Sequence, residues 1–126
     1  MEDNKEIVEE IKKENLQLKE ENNVLNEKKA LLVAIISLKK AIANASSTSD
    51  MIKRRMDETK QIIDANNLLK ENEKFSNEID IINEQINLAN SKYIDDSGLA
   101  ECFDSDIKRK NILLEKYLEE LKKYTD

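Results

Sequence analysis

The sequence predicts an all-α protein: a long-helix coiled coil, arranged as an antiparallel helical hairpin plus a shorter third helix and assembling as an oligomer. The first observation is composition, because 38% of the 126 residues are charged, 4% are aromatic, one is glycine and none is proline. A chain that is rich in Glu, Lys, Leu and Ile and has so few helix breakers is typical of long helices and coiled coils. The second is that the apolar residues keep helical spacing, which a disordered chain has no reason to maintain.

The third observation is the stretch at residues 30–45, ALLVAIISLKKAIANA. Its apolar residues surround most of the helix, whereas elsewhere in the chain they occupy one stripe. A helix that is apolar on several faces has to be covered on several faces. We therefore expect other helices, or other copies of the chain, to converge on this stretch.

Helix 1 is predicted over residues 1–45, starting at Asp3, with Glu6 completing a capping-box pattern. A heptad register then runs over residues 8–36. Its a and d positions, which we call the zipper stripe, are Val8, Ile11, Asn15, Leu18, Asn22, Leu25, Lys29, Leu32 and Ile36. Leu at d with polar residues at a is the pattern of a parallel two-stranded coil, in which each Asn pairs with its own copy. Over these residues the chain resembles a leucine zipper.

The charge of the first residues argues against DNA binding. A zipper that reads DNA is preceded by a basic arm that enters the major groove. Here Glu2, Asp3 and Glu6 precede the zipper stripe, and the whole chain has a net charge of −6 and a pI of about 4.9. We therefore expect no nucleic-acid partner, and we assign the zipper stripe to assembly.

A second stripe on helix 1 overlaps the zipper stripe without sharing its phase. It comprises Val24, Leu31, Ile35, Leu38, Ile42 and Ala45. Two apolar stripes on one helix require at least three helices in contact.

Residues 46–50, SSTSD, are predicted to form a turn that ends helix 1 and caps helix 2. Hydroxyl side chains and Asp compete with the helix backbone for hydrogen bonds and favour N-caps. The alternative is that the helix runs straight through, because neither Gly nor Pro forces it to stop.

Helix 2 is predicted over residues 51–93, and its second half has the most regular repeat in the chain. The repeat has a 4-3-4-3 spacing and comprises Leu68, Asn72, Phe75, Ile79, Ile82, Ile86, Ala89 and Tyr93. Upstream, the stripe through Ile52, Met56, Thr59 and Ile63 slips in phase near Asn66. Helices of equal length around a short turn predict an antiparallel hairpin, with residues 30–45 against residues 51–63.

Residues 94–104, which hold the only glycine, Gly98, are predicted to form a loop before helix 3 at residues 105–126. Helix 3 carries Ile107, Leu114, Leu118 and Leu121 on one stripe, and it is long enough to fold back on the hairpin. We expect the three helices to form one structural domain.

Catalytic, metal and cofactor chemistry is not indicated. The chain has no His, the commonest general base and metal ligand, and one Gly cannot form a phosphate-binding loop. Cys102 is alone and has no cationic neighbour in sequence to activate its thiol. The pairs Asp95–Asp96 and Asp104–Asp106 are interpreted as helix caps rather than a cation site. We expect no enzyme, no cofactor and no bound metal.

The high content of charged residues predicts a soluble protein. A lone cysteine forms no internal disulfide, which favours a reduced, cytoplasmic compartment. The apolar run at residues 30–38 is shorter than the roughly 20 residues that a membrane-spanning helix needs. An alternative is that residues 30–45 lie on a membrane surface, although they lack the aromatic residues common in such helices.

The resulting hypothesis is a non-enzymatic coiled-coil oligomerisation or scaffold module. Its expected partners are copies of itself, a dimer first, and another protein, but neither nucleic acid nor membrane. A small acidic helical inhibitor, such as an antitoxin or a blocker of a nucleic-acid-binding site, is the alternative. The residues predicted to form the interfaces are Ile11, Asn15, Leu18, Asn22, Leu25, Leu32, Ile35, Ile36, Ile42, Leu68, Phe75, Ile79, Ile82, Ile86, Leu114, Leu118 and Leu121.

Overall fold

Two long helices make up most of the described chain. The computed structural model describes residues 2–124, and Thr125 and Asp126, the end of predicted helix 3, lie outside that range. Helix α1 is Glu2–Lys70, a short 3₁₀ segment is Glu73–Glu78, and helix α2 is Ile79–Lys122. No strand occurs between residues 2 and 124. The predicted all-α class is therefore confirmed.

The predicted turn at residues 46–50 is wrong, because α1 continues through it. At its N-terminal end, α1 begins at Glu2, one residue before the predicted start at Asp3. Two of the four hydroxyl groups in residues 46–50, those of Thr48 and Ser49, have partners that are compatible with a helix. The Thr48 hydroxyl donates back to the carbonyl oxygen of Asn44 at 3.0 Å, and Ser49 donates to Asp104. Because these side chains do not compete for the helix amides, they do not end the helix.

The predicted loop at residues 94–104 is also wrong, because α2 runs through it. Gly98 adopts a negative φ, and a Cβ built on it would meet nothing within 4 Å. This glycine therefore weakens the helix without redirecting it. Asp96 and Asp104, interpreted as part of helix caps, instead form side-chain contacts with α1.

The α-helix is interrupted inside predicted helix 2, and this break lies between Lys70 and Ile79. Asn72 has extended backbone angles (φ −88°, ψ 122°), and its side-chain oxygen accepts the Lys74 backbone N–H at 3.0 Å. This N-cap interaction stabilises the 3₁₀ segment, in which Phe75 has a non-helical φ of −111° and ψ of 20°. The break lies a few residues after the phase slip near Asn66.

The predicted packing of residues 30–45 against residues 51–63 is also wrong. Both stretches belong to α1 and lie one after the other along the same helix, so they cannot form the two arms of a hairpin. Predicted helix 3 is the C-terminal part of α2.

The described residues fall into two compact units. One contains parts of Met1–Lys39 and Leu113–Asp126, and the other is Lys40–Ile112. Each unit contains a segment of α1 and a segment of α2. The prediction of one structural domain stays a prediction.

Candidate interaction surface

In Lys40–Ile112, the buried side chains lie on one stripe of each helix. They comprise Ala45, Ser49, Ile52 and Thr59 on α1, and Ile82, Ala89, Asp96 and Ala100 on α2. Half-buried residues continue the same three-and-four spacing at Met56, Ile63, Ile86, Tyr93 and Phe103. Spacing of this kind keeps one seam of a helix turned toward a partner. The seam contains few large side chains, and several of its positions are small or polar.

Arg55 and Asp96 form a bidentate ion pair in this unit, in which the carboxylate is buried and the guanidinium is partly exposed. The Arg55 Nε donates to Asp96 Oδ2 at 3.1 Å, and Nη2 donates to Oδ1 at 2.7 Å. The Asp96 side chain is 8% exposed and the Arg55 side chain 47%. The hydrogen bonds from Arg55 hold the pKa of Asp96 below its ordinary value and raise that of Arg55. Asp96 is therefore held as a carboxylate with both oxygens occupied.

A second polar contact lies farther from the interruption between Lys70 and Ile79. Ser49, which is 2% exposed, donates its hydroxyl to Asp104 Oδ1 at 2.7 Å. The Lys53 ammonium lies 3.0 Å from Asp104 Oδ2. The Ser49 and Lys53 hydrogen bonds lower the pKa of Asp104.

These two contacts give the relative direction of the helices in Lys40–Ile112. From Ser49 to Arg55 the residue number rises along α1, while the partner number falls from Asp104 to Asp96 on α2. The two helical segments of this unit therefore run in opposite directions. Sliding one segment by a single turn would separate Asp96 from Arg55 and leave a buried carboxylate unpaired.

In the other unit, the C-terminal end of α2 lies against one face of α1. Leu31 and Ala34 of α1 line a groove together with Tyr117 and Tyr124. The Tyr124 hydroxyl donates to Glu27 Oε2 at 2.6 Å, and this hydrogen bond raises the pKa of Tyr124. From residue 3 to residue 27, α1 is exposed at every position.

The zipper stripe lies on this exposed part of α1 and continues beyond it. Its large apolar members are 41–63% exposed and comprise Val8, Ile11, Leu18, Leu25, Leu32 and Ile36. Leu32 and Ile36 each follow a residue of the covered face, Leu31 and Ile35. One residue along a helix turns the side chain by about 100°. The zipper stripe is thus a second apolar face of α1, separate from the one that is covered.

The structure places the predicted interface residues in three environments. Ile35 and Ile82 are buried. Five are half-buried: Ile42, Ile79, Ile86, Leu114 and Leu121. The remaining ten are exposed: Ile11, Asn15, Leu18, Asn22, Leu25, Leu32, Ile36, Leu68, Phe75 and Leu118.

Sequence reasoning missed Ser49, Asp96 and Asp104 because their segments were interpreted as a turn and a loop. It also missed Arg55, which lies in predicted helix 2 but outside its apolar stripe. A signal was available. Ser49 continues the spacing of Ala45 and Ile52, and Asp96 continues that of Ala89 and Tyr93, although polar residues occupy the expected apolar positions.

Two further features of the described residues concern metal binding and membrane insertion. Between residues 2 and 124, no group of three or more His, Cys, Asp or Glu side chains is placed to hold a metal ion. Helix α1 contains one 18-residue window that is apolar enough, by length and composition alone, to cross a membrane, and 11% of that window is buried. Since core helices of soluble proteins pass the same test, a single window is weak evidence.

Comparison with known protein families, with curated proteins and with solved structures finds no match for this chain.

Proposed function

We propose that this chain is a non-enzymatic coiled-coil module that oligomerises through the zipper stripe and serves as a scaffold or protein-interaction element. One observation carries the proposal: six large apolar side chains at heptad spacing are 41–63% exposed along one face of α1. Heptad-spaced apolar residues sustained over four heptads are typical of a coiled-coil seam.

The arrangement of Lys40–Ile112 supports the coiled-coil part of this proposal. Its two helical segments run in opposite directions, and buried side chains recur at three-and-four spacing on both. We propose that this unit is an antiparallel coiled-coil hairpin, which leaves the zipper stripe of α1 for assembly. An intracellular, reduced compartment fits the exposed and solitary Cys102.

A matched pair of substitutions tests the zipper stripe. Leu18 lies on it and is 56% exposed, whereas Leu16 lies off it and is 59% exposed in the same segment. We expect sedimentation equilibrium of the wild-type chain to give a mass above that of the 14.6 kDa monomer. Leu18→Asp should return the mass to the monomer because a charge in a coiled-coil core is costly to bury, and Leu16→Asp should not.

An equal effect of both substitutions, or of neither, would contradict the proposal. A flotation assay with vesicles of mixed neutral and anionic lipid adds a control for the apolar window of α1. We expect the wild-type chain to stay unbound, and flotation with the vesicles would assign the exposed apolar face to a membrane instead.

An acidic inhibitor is the second candidate, because acidic residues are concentrated on the exposed segment. Residues 3–27 contain eight acidic and four basic side chains. A segment of this charge fits a basic partner surface through long-range attraction. Under this alternative the pure chain stays monomeric at every concentration, and its binding to a basic target weakens steeply with salt.

A further inference from the structure

We infer that the zipper stripe binds the zipper stripe of a second copy of this chain, in parallel and in register, to form a two-stranded coil. This inference rests on the proposed function and adds the number of strands in the oligomer and their orientation.

The first argument is that the described residues leave most of the zipper stripe exposed. Helix α2 ends at Lys122, and just beyond it Tyr124 donates to Glu27. Lys123 and Tyr124 border a groove together with Val24 and Leu25 of α1. Every residue from 3 to 27 is exposed. A long helix takes most of its stability from packing of an apolar face, and a helix of a second copy would supply that packing for this segment.

The second argument comes from the residues at the a positions. Asn15 and Asn22 occupy two consecutive a positions, and both are exposed in the single chain. In a parallel, in-register coil each faces its own copy, and the two amides can donate to and accept from each other. In an antiparallel coil a positions face d positions, so each Asn would face Leu or Ile and lose its hydrogen bonds.

The third argument concerns strand number. Three of the four d positions are Leu, at residues 18, 25 and 32, and the fourth is Ile11. The β-branched Val8 and Ile36 occupy a positions at the two ends. Leu at d with β-branched residues at a favours two strands, and a polar a position restricts the coil further. Lys29, the remaining a residue, can extend its ammonium group out of a two-stranded seam.

The flanking charges are compatible with two identical strands. In a parallel coil, the g residue of one strand faces the e residue of the next heptad on its partner. The four pairs are Ile7 with Lys12, Glu14 with Lys19, Glu21 with Asn26, and Lys28 with Val33. One pair is oppositely charged and none joins like charges. The net negative charge of the segment is therefore not concentrated at the seam.

Cysteine cross-linking in the full chain tests the orientation. In a Cys102→Ser background, Asn15→Cys places one thiol at an a position, and Leu16→Cys places one outside the stripe as the matched control. In a glutathione redox buffer we expect Asn15→Cys to form disulfide-linked dimers for most of the protein and Leu16→Cys for only a trace. Sedimentation equilibrium of the reduced Asn15→Cys variant should give about twice the 14.6 kDa monomer mass.

The outcomes separate this inference from the proposed function. One outcome would overturn the parallel dimer alone: Asn15→Cys fails to cross-link, although Leu18→Asp still dissociates the oligomer and Leu16→Asp does not. A trimer or larger mass would also overturn it. If the wild-type chain were monomeric, or if Leu18→Asp left its mass unchanged, both the inference and the proposed function would fail. Circular dichroism of every variant establishes that each compared chain is helical.

Discussion

At the scale of single residues, the stability of the buried seam depends on charged and hydroxyl side chains as well as apolar ones. Asp96 accepts two hydrogen bonds from Arg55, and Asp104 accepts hydrogen bonds from Ser49 and Lys53. In each case the hydrogen bonds lower the pKa of the carboxyl group. The resulting ion pairs join the two helical segments of Lys40–Ile112, so their protonation links folding to pH.

We predict that the chain loses thermal stability as the pH falls below about 4, where an unfolded aspartate takes up its proton. The folded-state pKa values of Asp96 and Asp104 lie below that value. Both carboxylates therefore stabilise the fold above about pH 4, and this contribution is lost as the pH falls through their folded pKa values. Thermal denaturation followed by circular dichroism from pH 7 to pH 2 measures the loss.

The Asp96→Asn variant isolates one of the two groups. It should be less stable than wild type at pH 7, and the difference between the two melting temperatures should shrink toward pH 2. A difference that stayed constant across this range would show that protonation of Asp96 does not affect folding.

We predict that Gly98→Ala stabilises the chain. Gly98 is in the interior of α2 with a negative φ, and the added methyl group would have no atom within 4 Å. Replacing glycine by alanine inside a helix gains about 0.5–1 kcal/mol because the unfolded chain loses conformational freedom. Urea denaturation measures the change, and a lower unfolding free energy in the variant would show that this position is not an unstrained helix interior.

At the scale of elements, α1 is one helix with two apolar faces that differ in burial. One face is covered, and the zipper stripe is exposed from Val8 to Ile36. In the covered part, burial distinguishes isoleucines that are close together along the chain. Ile52 is 4% exposed and Ile62 is 50% exposed.

This contrast predicts unequal costs for the same substitution. Ile52→Ala should lower the unfolding free energy by about 2–4 kcal/mol, because it removes buried methyl groups and leaves a cavity. Ile62→Ala, the matched control on the same helix, should change it by about 0.5 kcal/mol or less. Urea denaturation of both variants measures the difference, and equal costs would mean that Ile52 does not belong to the core.

Helix type and much of the covered face were predictable from sequence, whereas helix ends were not. The repeat at Ile79, Ile82 and Ile86 coincides with half-buried and buried positions of α2. The predicted turn failed because a run of hydroxyl side chains favours a cap only when those groups lack partners. The partners, Asp104 for Ser49 and a preceding carbonyl for Thr48, lie across the seam or within the helix. The pattern along a single segment does not contain that information.

At the scale of the whole molecule, the described chain combines a covered seam with an exposed one, and the proposed assembly depends on the exposed one. In that proposed assembly, the polar residues of the zipper stripe would limit the chains to one arrangement at some cost in stability. The candidate surface was predicted from sequence at this scale through the heptad register. Its availability is a property of the structure, because it depends on where α2 ends.

We predict that replacing Asn15 and Asn22 together by Ile raises the thermal stability of the oligomer and broadens its size distribution. Apolar a positions strengthen the seam, and the loss of the paired amides removes the restriction on strand number and register. Sedimentation velocity and thermal denaturation at matched concentrations measure both effects. A drop in helicity or stability would instead show that the two amides make a specific polar contact elsewhere.

The break between Lys70 and Ile79 also bears on the order in which the chain folds. From this break outward, the chain separation between partners grows, from 41 residues for Arg55 and Asp96 to 55 for Ser49 and Asp104. Closing a short loop loses less entropy than closing a long one, so pairing begins beside the break and progresses away from it. In a chain synthesised from its N-terminus, α1 is complete before any residue of α2 exists. In the proposed assembly, the zipper stripe can therefore pair with another copy before α2 is available to pack against α1.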